Sequence, residues 1–118
     1  MAWSLNHLGD VARDRGDLAE ARRLYQEGAD TFRRLGERWG MARSAADLGY
    51  LACHQNDPEA AESLFEEALR LFLEVAHQRG IAKVLEGFAC VAARQHNPER
   101  ALTLVGACLL YTSDAADE

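Results

Sequence analysis

Apolar positions in this chain recur at helical spacing, are broken by short polar turns, and nowhere alternate as a strand would. Leu5, Leu8, Val11 and Ala12 form the first stripe and predict a helix from Ala2 to about Arg15, ended by Gly16. Asp17, with Glu20 three residues on, reads as a capping box for a second helix. Its buried stripe is Ala21, Leu24, Tyr25, Gly28, Phe32 and Leu35, and Gly36 stops it. A third helix is expected from Glu37 or Arg38 to about Gln55. Asp57 caps a fourth, with Pro58 at its first position, where the missing N–H is harmless; it runs to about Ala76. The fifth spans roughly Arg79 to Gln95, and Asn97 repeats the cap ahead of Pro98, Glu99 and a sixth helix.

The stripes themselves repeat. Leu8, Leu48 and Phe88 fall in step at a period of 40 residues, as do Gly9, Gly49 and Ala89. Ala12, Ala52 and Ala92 follow, then Ala21, Ala61 and Ala101, Leu24, Leu64 and Leu104, and Tyr25, Phe65 and Val105. Phe32 matches Phe72, and Gly40 matches Gly80. The clearest unit runs from Leu48 to Phe72. A constant period that keeps small residues at one place and aromatic residues at another is the signature of stacked repeats. Antiparallel helices approach closely only where the facing side chains are small. Gly9, Gly49 and Ala89 on the first helix, and Ala21, Ala61 and Ala101 on the second, suit such contact points. The aromatic positions would fill the space toward the next repeat. Gly28 costs roughly 1 kcal/mol relative to Ala inside a helix, so close packing is the expected reason for it.

This spacing of Leu-Gly, Ala, Ala and an aromatic resembles the tetratricopeptide repeat. The resemblance implies an all-α fold, a right-handed α-solenoid of antiparallel helix pairs. About two and a half repeats are expected, near 2–41, 42–81 and 82–107, in one domain over 1–107. The unit departs from the family's usual length of about 34 residues, and the family's Pro near the end of the second helix is absent. The extra residues are expected to lengthen the helices and the join around Leu35–Trp39. After Ala107 the periodicity breaks. Residues 108–118 resemble the conceptual translation of a sequencing adapter, and are expected to be a non-native or disordered tail, outside functional reasoning. Met1 is compatible with an internal start.

Composition narrows the function classes. A chain of 118 residues suits one domain. Formal charge is -6, and three of its 19 acids (Asp114, Asp117, Glu118) lie in the last five residues. Neither this balance nor the 13 basic against 16 acidic residues that remain without them offers the basic face that nucleic acid or an anionic membrane needs. No secretory signal and no apolar run of membrane-spanning length is present. Cys53, Cys90 and Cys108 are odd in number and far apart in sequence, which reads as free thiols in a reducing, cytoplasmic setting. Cys53 and Cys90 read as small packing residues.

Catalytic and metal chemistry find no foothold. His7, His54, His77 and His96 lack ligand spacing with cysteines or carboxylates, and Cys53 and His54 are neighbours that point apart on a helix. No nucleophile-base-acid order and no Gly-rich phosphate loop appears. The chain is therefore expected to be no enzyme and to need no cofactor and no metal. The better candidate is a surface. In the family that the chain resembles, the first helix of each unit lines a concave groove that holds a protein or peptide segment. Carried over, that face comprises Asn6, Asp10 and Arg13, then Arg43, Asp47, Tyr50 and His54, then Lys83, Glu86 and Arg94. The family members that clamp a C-terminal carboxylate use Lys and Asn on two units and Lys and Arg on a third. Here Asp10, Asp47 and Gly87 stand in such places, so that ligand is not expected. The same face also reads simply as the wetted side of the solenoid.

The run Arg79-Gly80-Ile81-Ala82, with Leu85-Glu86-Gly87, Ala92 and Pro98-Glu99-Arg100-Ala101, resembles the repeat arrays of large bacterial ATPase-type transcriptional regulators. That resemblance implies a protein-interaction module, a fragment of the sensor or partner-binding arm of such a signalling protein. A stand-alone adaptor, or a structural spacer that binds nothing, is the alternative. Exposed apolar ends would add self-association.

Overall fold

The structure is a computed structural model that describes residues 2–97 and 99–107. Its regular structure is helical throughout: α1 Ala2–Asp14, α2 Leu18–Leu35, α3 Arg38–His54, α4 Pro58–Glu74 and α5 Gln78–Arg94. Residues 99–107 are helical too. The readings that fall on Met1, Pro98 and residues 108–118 lie outside the described residues. α1 packs on α2 and α3 on α4; α3 also packs on α2 and α5, and α4 on α5. Each pair therefore leans mainly on its neighbours, as in a solenoid.

Local chemistry sets the helix starts. Asp17 Oδ1 accepts from the Glu20 N–H at 3.2 Å, Asp57 Oδ1 from the Ala60 N–H at 3.2 Å, and Asn97 Oδ1 from the Arg100 N–H at 3.3 Å. The other half of the expected capping box does not form. The Asp17 N–H is already bonded to the Ala12 carbonyl at 2.9 Å, so Glu20 has nothing to reach back for and pairs with Arg23 instead. Glu37 caps α3 through the N–H groups of Trp39 and Gly40. Forty residues on, His77 Nδ1 accepts from the Gly80 N–H at 2.9 Å, a cap not anticipated, and α5 starts at Gln78.

The stops repeat as well. Gly16, Asn56 and His96 share one register and all take positive φ, 83°, 59° and 59°. Gly36 and Ala76 share another, at 68° and 52°. In each case the next residue's N–H closes onto a carbonyl five residues back, such as Asp57 onto Ala52 and His77 onto Phe72. The forty-residue period is thus visible in backbone conformation, not only in side-chain type.

Ala12, Ala21, Ala52 and Ala61 are all buried. At Gly9, Gly40, Gly49 and Gly80 the partner is a ring rather than another small residue. Gly49 lies against Phe65, and Gly80 against Phe72, each so closely that a Cβ there would clash. Some stripe positions do not follow the expected pattern. Leu8, Val11 and Leu35 are 54%, 47% and 72% exposed. α1 turns Ala2, Asn6, Gly9 and Ala12 inward. Leu8 and Val11 each precede one of these by a single residue, and so are rotated away by about 100°. Leu35 ends α2 beside the turn. At the other side Phe72 is fully covered by the start of α5, Leu85 and Phe88 are half-buried, and Val75 is exposed.

Candidate functional site

A ribbon of alternating charge crosses α1, α3 and α5. Arg13 Nη1 lies 3.7 Å from Asp10 Oδ1 on α1. Asp10 Oδ2 accepts from Arg43 Nη2 of α3 at 3.2 Å. Arg43 Nε donates to Asp47 Oδ2 at 3.1 Å, one turn along α3. Asp47 Oδ1 faces Lys83 Nζ of α5 at 3.6 Å. Arg13, Asp10, Arg43 and Lys83 are partly exposed, whereas the Asp47 side chain is fully covered.

Burial pushes the Asp47 carboxyl above its ordinary range, and the charges of Lys83 and Arg43 pull against that without overcoming it. Beneath the ribbon, Tyr25 of α2 donates its hydroxyl to Asp10 Oδ1 at 2.5 Å. Burial first, and that hydrogen bond second, hold the Tyr25 phenol well above its ordinary value. Tyr25 is therefore a neutral donor that fixes Asp10 from inside. Tyr50 extends the face: its hydroxyl donates to the Lys83 carbonyl at 3.2 Å, and Lys83 Nζ sits 5.9 Å from the ring centroid.

The remaining candidates divide. His54 Nδ1 and Arg94 Nη2 stand 3.2 Å apart, and Arg94 Nη1 donates to Asn56 Oδ1, forming a separate exposed pair between α3 and α5. Glu86 is exposed and apart from both groups. Asn6 and Asp47 correct the expectation of a wetted face, because both are buried. Asn6 donates to Ser44 Oγ at 3.2 Å and backs onto Gly28. It holds α1 to α3 instead of facing solvent. That contact also explains Gly28, since a Cβ there would meet the Asn6 amide.

Sequence reasoning missed three features. Tyr25 read as a space-filler equivalent to Phe65, and its extra hydroxyl was the available signal. Ser44 gave none. Cys53 and Cys90, far apart in sequence, bring their Sγ atoms to 3.2 Å. Among the described residues no group of three or more His, Cys, Asp or Glu is arranged to hold a metal ion. Nor is any described helix long and apolar enough to cross a membrane.

Stacked antiparallel helix pairs joined by a polar ribbon across one helix of each pair define a helical-repeat scaffold. The family profile of the tetratricopeptide repeat matches residues 1–74, and the chain belongs to that family. Such repeats generally mediate protein–protein interaction as non-catalytic scaffolds. Among solved structures the chain is similar to BtubC (BKLC) from P. vanneervenii, with a TM-score of 0.82 and 18% identity. The match covers 99% of this chain and 48% of BtubC, so the chain spans about half that protein's length. At this identity the likeness shows the fold alone. No curated protein matches the chain.

Proposed function

We propose that the chain is a protein-interaction module whose α1, α3 and α5 line a groove for a protein or peptide segment. The observation that carries this reading is the ribbon Arg13–Asp10–Arg43–Asp47–Lys83. It spans three helices, keeps four of its five side chains partly exposed, and ends beside Tyr50. A polar segment laid across it would meet the cations Arg13, Arg43 and Lys83 around the Asp10 carboxylate, which Tyr25 holds from below. Asn6 and Asp47 act in this reading as supports, and Arg13, Arg43, Tyr50 and Lys83 as contacts. His54, Glu86 and Arg94 would extend the contact surface along α3 and α5.

The domain so proposed covers 1–107, with repeats near 2–41, 42–81 and 82–107. The resemblance of Arg79–Ala82 and the residues after it supports placement in the sensor or partner-binding arm of a bacterial regulator. The free Cys53 and Cys90 support a cytoplasmic setting. A second reading, a spacer with no ligand, is favoured by one observation: the ribbon's charges already pair with one another.

Selection from a displayed peptide library, followed by titration of a selected peptide, tests the choice. Lys83→Glu and Arg13→Glu should each weaken a groove-bound peptide at least tenfold, which corresponds to about 1.4 kcal/mol. Failure to enrich any peptide would favour the spacer. Enriched peptides that ignore both substitutions would move the binding surface elsewhere.

A further inference from the structure

Cys53 lies near the C-terminal end of α3, buried, and Cys90 lies on α5, half-buried. Their Sγ atoms stand 3.2 Å apart across the packed α3–α5 face. A disulfide needs about 2.0 Å between sulfurs, so the gap to close is small. Register does not explain the pair. Cys53 corresponds to Arg13 and Ala93 in the other repeats, and Cys90 to Asp10 and Tyr50.

The surroundings give reagents a way in. A cavity of about 220 Å³ is lined by Cys53, Asn56, Pro58, Val91, Arg94 and Gln95. Cys53 lines this cavity and Cys90 does not, so a reagent meets Cys90 at its own exposed side. Arg94, one turn beyond Cys90, lends positive charge at this cavity, which attracts an anionic reagent. Burial, with the neighbouring Cys90 thiol, pushes Cys53 up to about 11. Cys90, half-buried where Cys53 is buried, is the more accessible of the two and the sulfur that reacts first.

We propose that Cys53 and Cys90 form an oxidisable dithiol, a modification site at which a low-molecular-weight disulfide such as glutathione disulfide installs a covalent bond between α3 and α5. The Cys90 thiolate attacks one sulfur of the small disulfide and expels one small thiolate, leaving a mixed disulfide on Cys90. Cys53 then loses its proton, attacks Cys90 Sγ and expels the second small thiolate. The two cysteines are oxidised by two electrons, the small disulfide is reduced to two thiols, and the two cysteine protons end on those thiols. The bond ties the second helix pair to α5, closing a loop of some 36 intervening residues. This holds whether the α1–α3–α5 face binds a peptide or not.

The test uses the full chain carrying Cys108→Ser, so that two thiols remain. It is equilibrated in glutathione buffers of rising disulfide content, then subjected to thiol titration, peptide mapping and thermal melting. Both thiols should disappear together, independently of protein concentration, and a Cys53–Cys90 linked peptide should appear. The melting temperature should rise by about 5 °C or more, because the bond restricts the unfolded chain. Adding Cys90→Ser should abolish the linked peptide and the oxidant-dependent rise. Two thiols that stay free in excess glutathione disulfide would overturn the proposal. So would glutathione held on Cys90 without a bond to Cys53, or linkage between chains only.

Discussion

Gly87 of α5 lies against the ring of Phe65 of α4, so closely that a Cβ at Gly87 would stand 2.5 Å from the ring's Cζ. Phe65 has no exposed surface and also abuts Gly49 of its own pair, so it cannot retreat. Gly87→Ala should therefore overpack the α4–α5 join and destabilise the fold by about 1–3 kcal/mol. Gly106, which has nothing within 4 Å of a would-be Cβ, is the control. Gly106→Ala should be neutral or stabilising by up to about 1 kcal/mol. Urea midpoints for the two variants decide it, and equal midpoints would remove Gly87 from the packing argument.

Ala76 takes φ 52° where the preceding turn of the same register uses Gly36. A left-handed conformation costs a residue with a Cβ roughly 1–2 kcal/mol, and glycine gives part of that back as unfolded-chain entropy. Ala76→Gly should raise stability by about 0.5–1 kcal/mol. Thermal or chemical melts at fixed pH measure it, and a loss of stability would show that the turn is held by the Ala76 methyl.

Asp47 is the buried member of the ribbon, and its folded carboxyl titrates above the unfolded value. The folded state therefore binds the proton more tightly than the unfolded state. The Asp47 contribution favours folding at low pH and is lost as pH rises from the unfolded value through the raised folded one. Asp47→Asn should thus stabilise the chain at neutral pH, by about 1 kcal/mol. The gain should shrink toward pH 3, where the carboxyl is protonated in both forms. Denaturation midpoints across pH 3–8 test this; a variant less stable at neutral pH would mean that the pairs to Arg43 and Lys83 outweigh the burial.

Arg43 is predicted to behave in the opposite way. It hydrogen-bonds to both Asp10 and Asp47. Arg43→Ala leaves the covered Asp47 Oδ2 without its donor and should cost about 1–3 kcal/mol at neutral pH. In the Asp47→Asn background the cost should fall, and a double-mutant cycle reads the difference. Strict additivity would sever the two residues.

The exposed Leu8 and Val11 on α1, and Leu102 and Val105 in the last described helix, motivate a prediction on association. Sedimentation velocity should show mass rising with concentration, and the pair Leu102→Glu and Val105→Glu should reduce that rise. Concentration-independent monomer in the unsubstituted chain would count against it.

The caps at Asp17, Asp57 and Asn97, the turns at Gly16 and Gly36, and the helical pairs were legible because each depends on residues within one turn of itself. The repeat was legible because its glycines and alanines keep one period, and the ring packed against Gly9, Gly49 and Gly80 leaves no room there for a side chain. The ribbon was legible only as a set of positions. Asp10 and Asp47 are the same residue type on the same kind of helix, yet one is partly exposed and the other covered. Residues of other helices decide that: Tyr25 reaches Asp10 from α2, and Lys83 approaches Asp47 from α5. Cys53 and Cys90 were hidden in the same way, since they lie 37 positions apart along the chain and only the packing of α3 on α5 brings their sulfurs together. Periodicity and capping are local and survive in the sequence; burial, pairing and thiol contact arise between helices and exist only once the stack has formed.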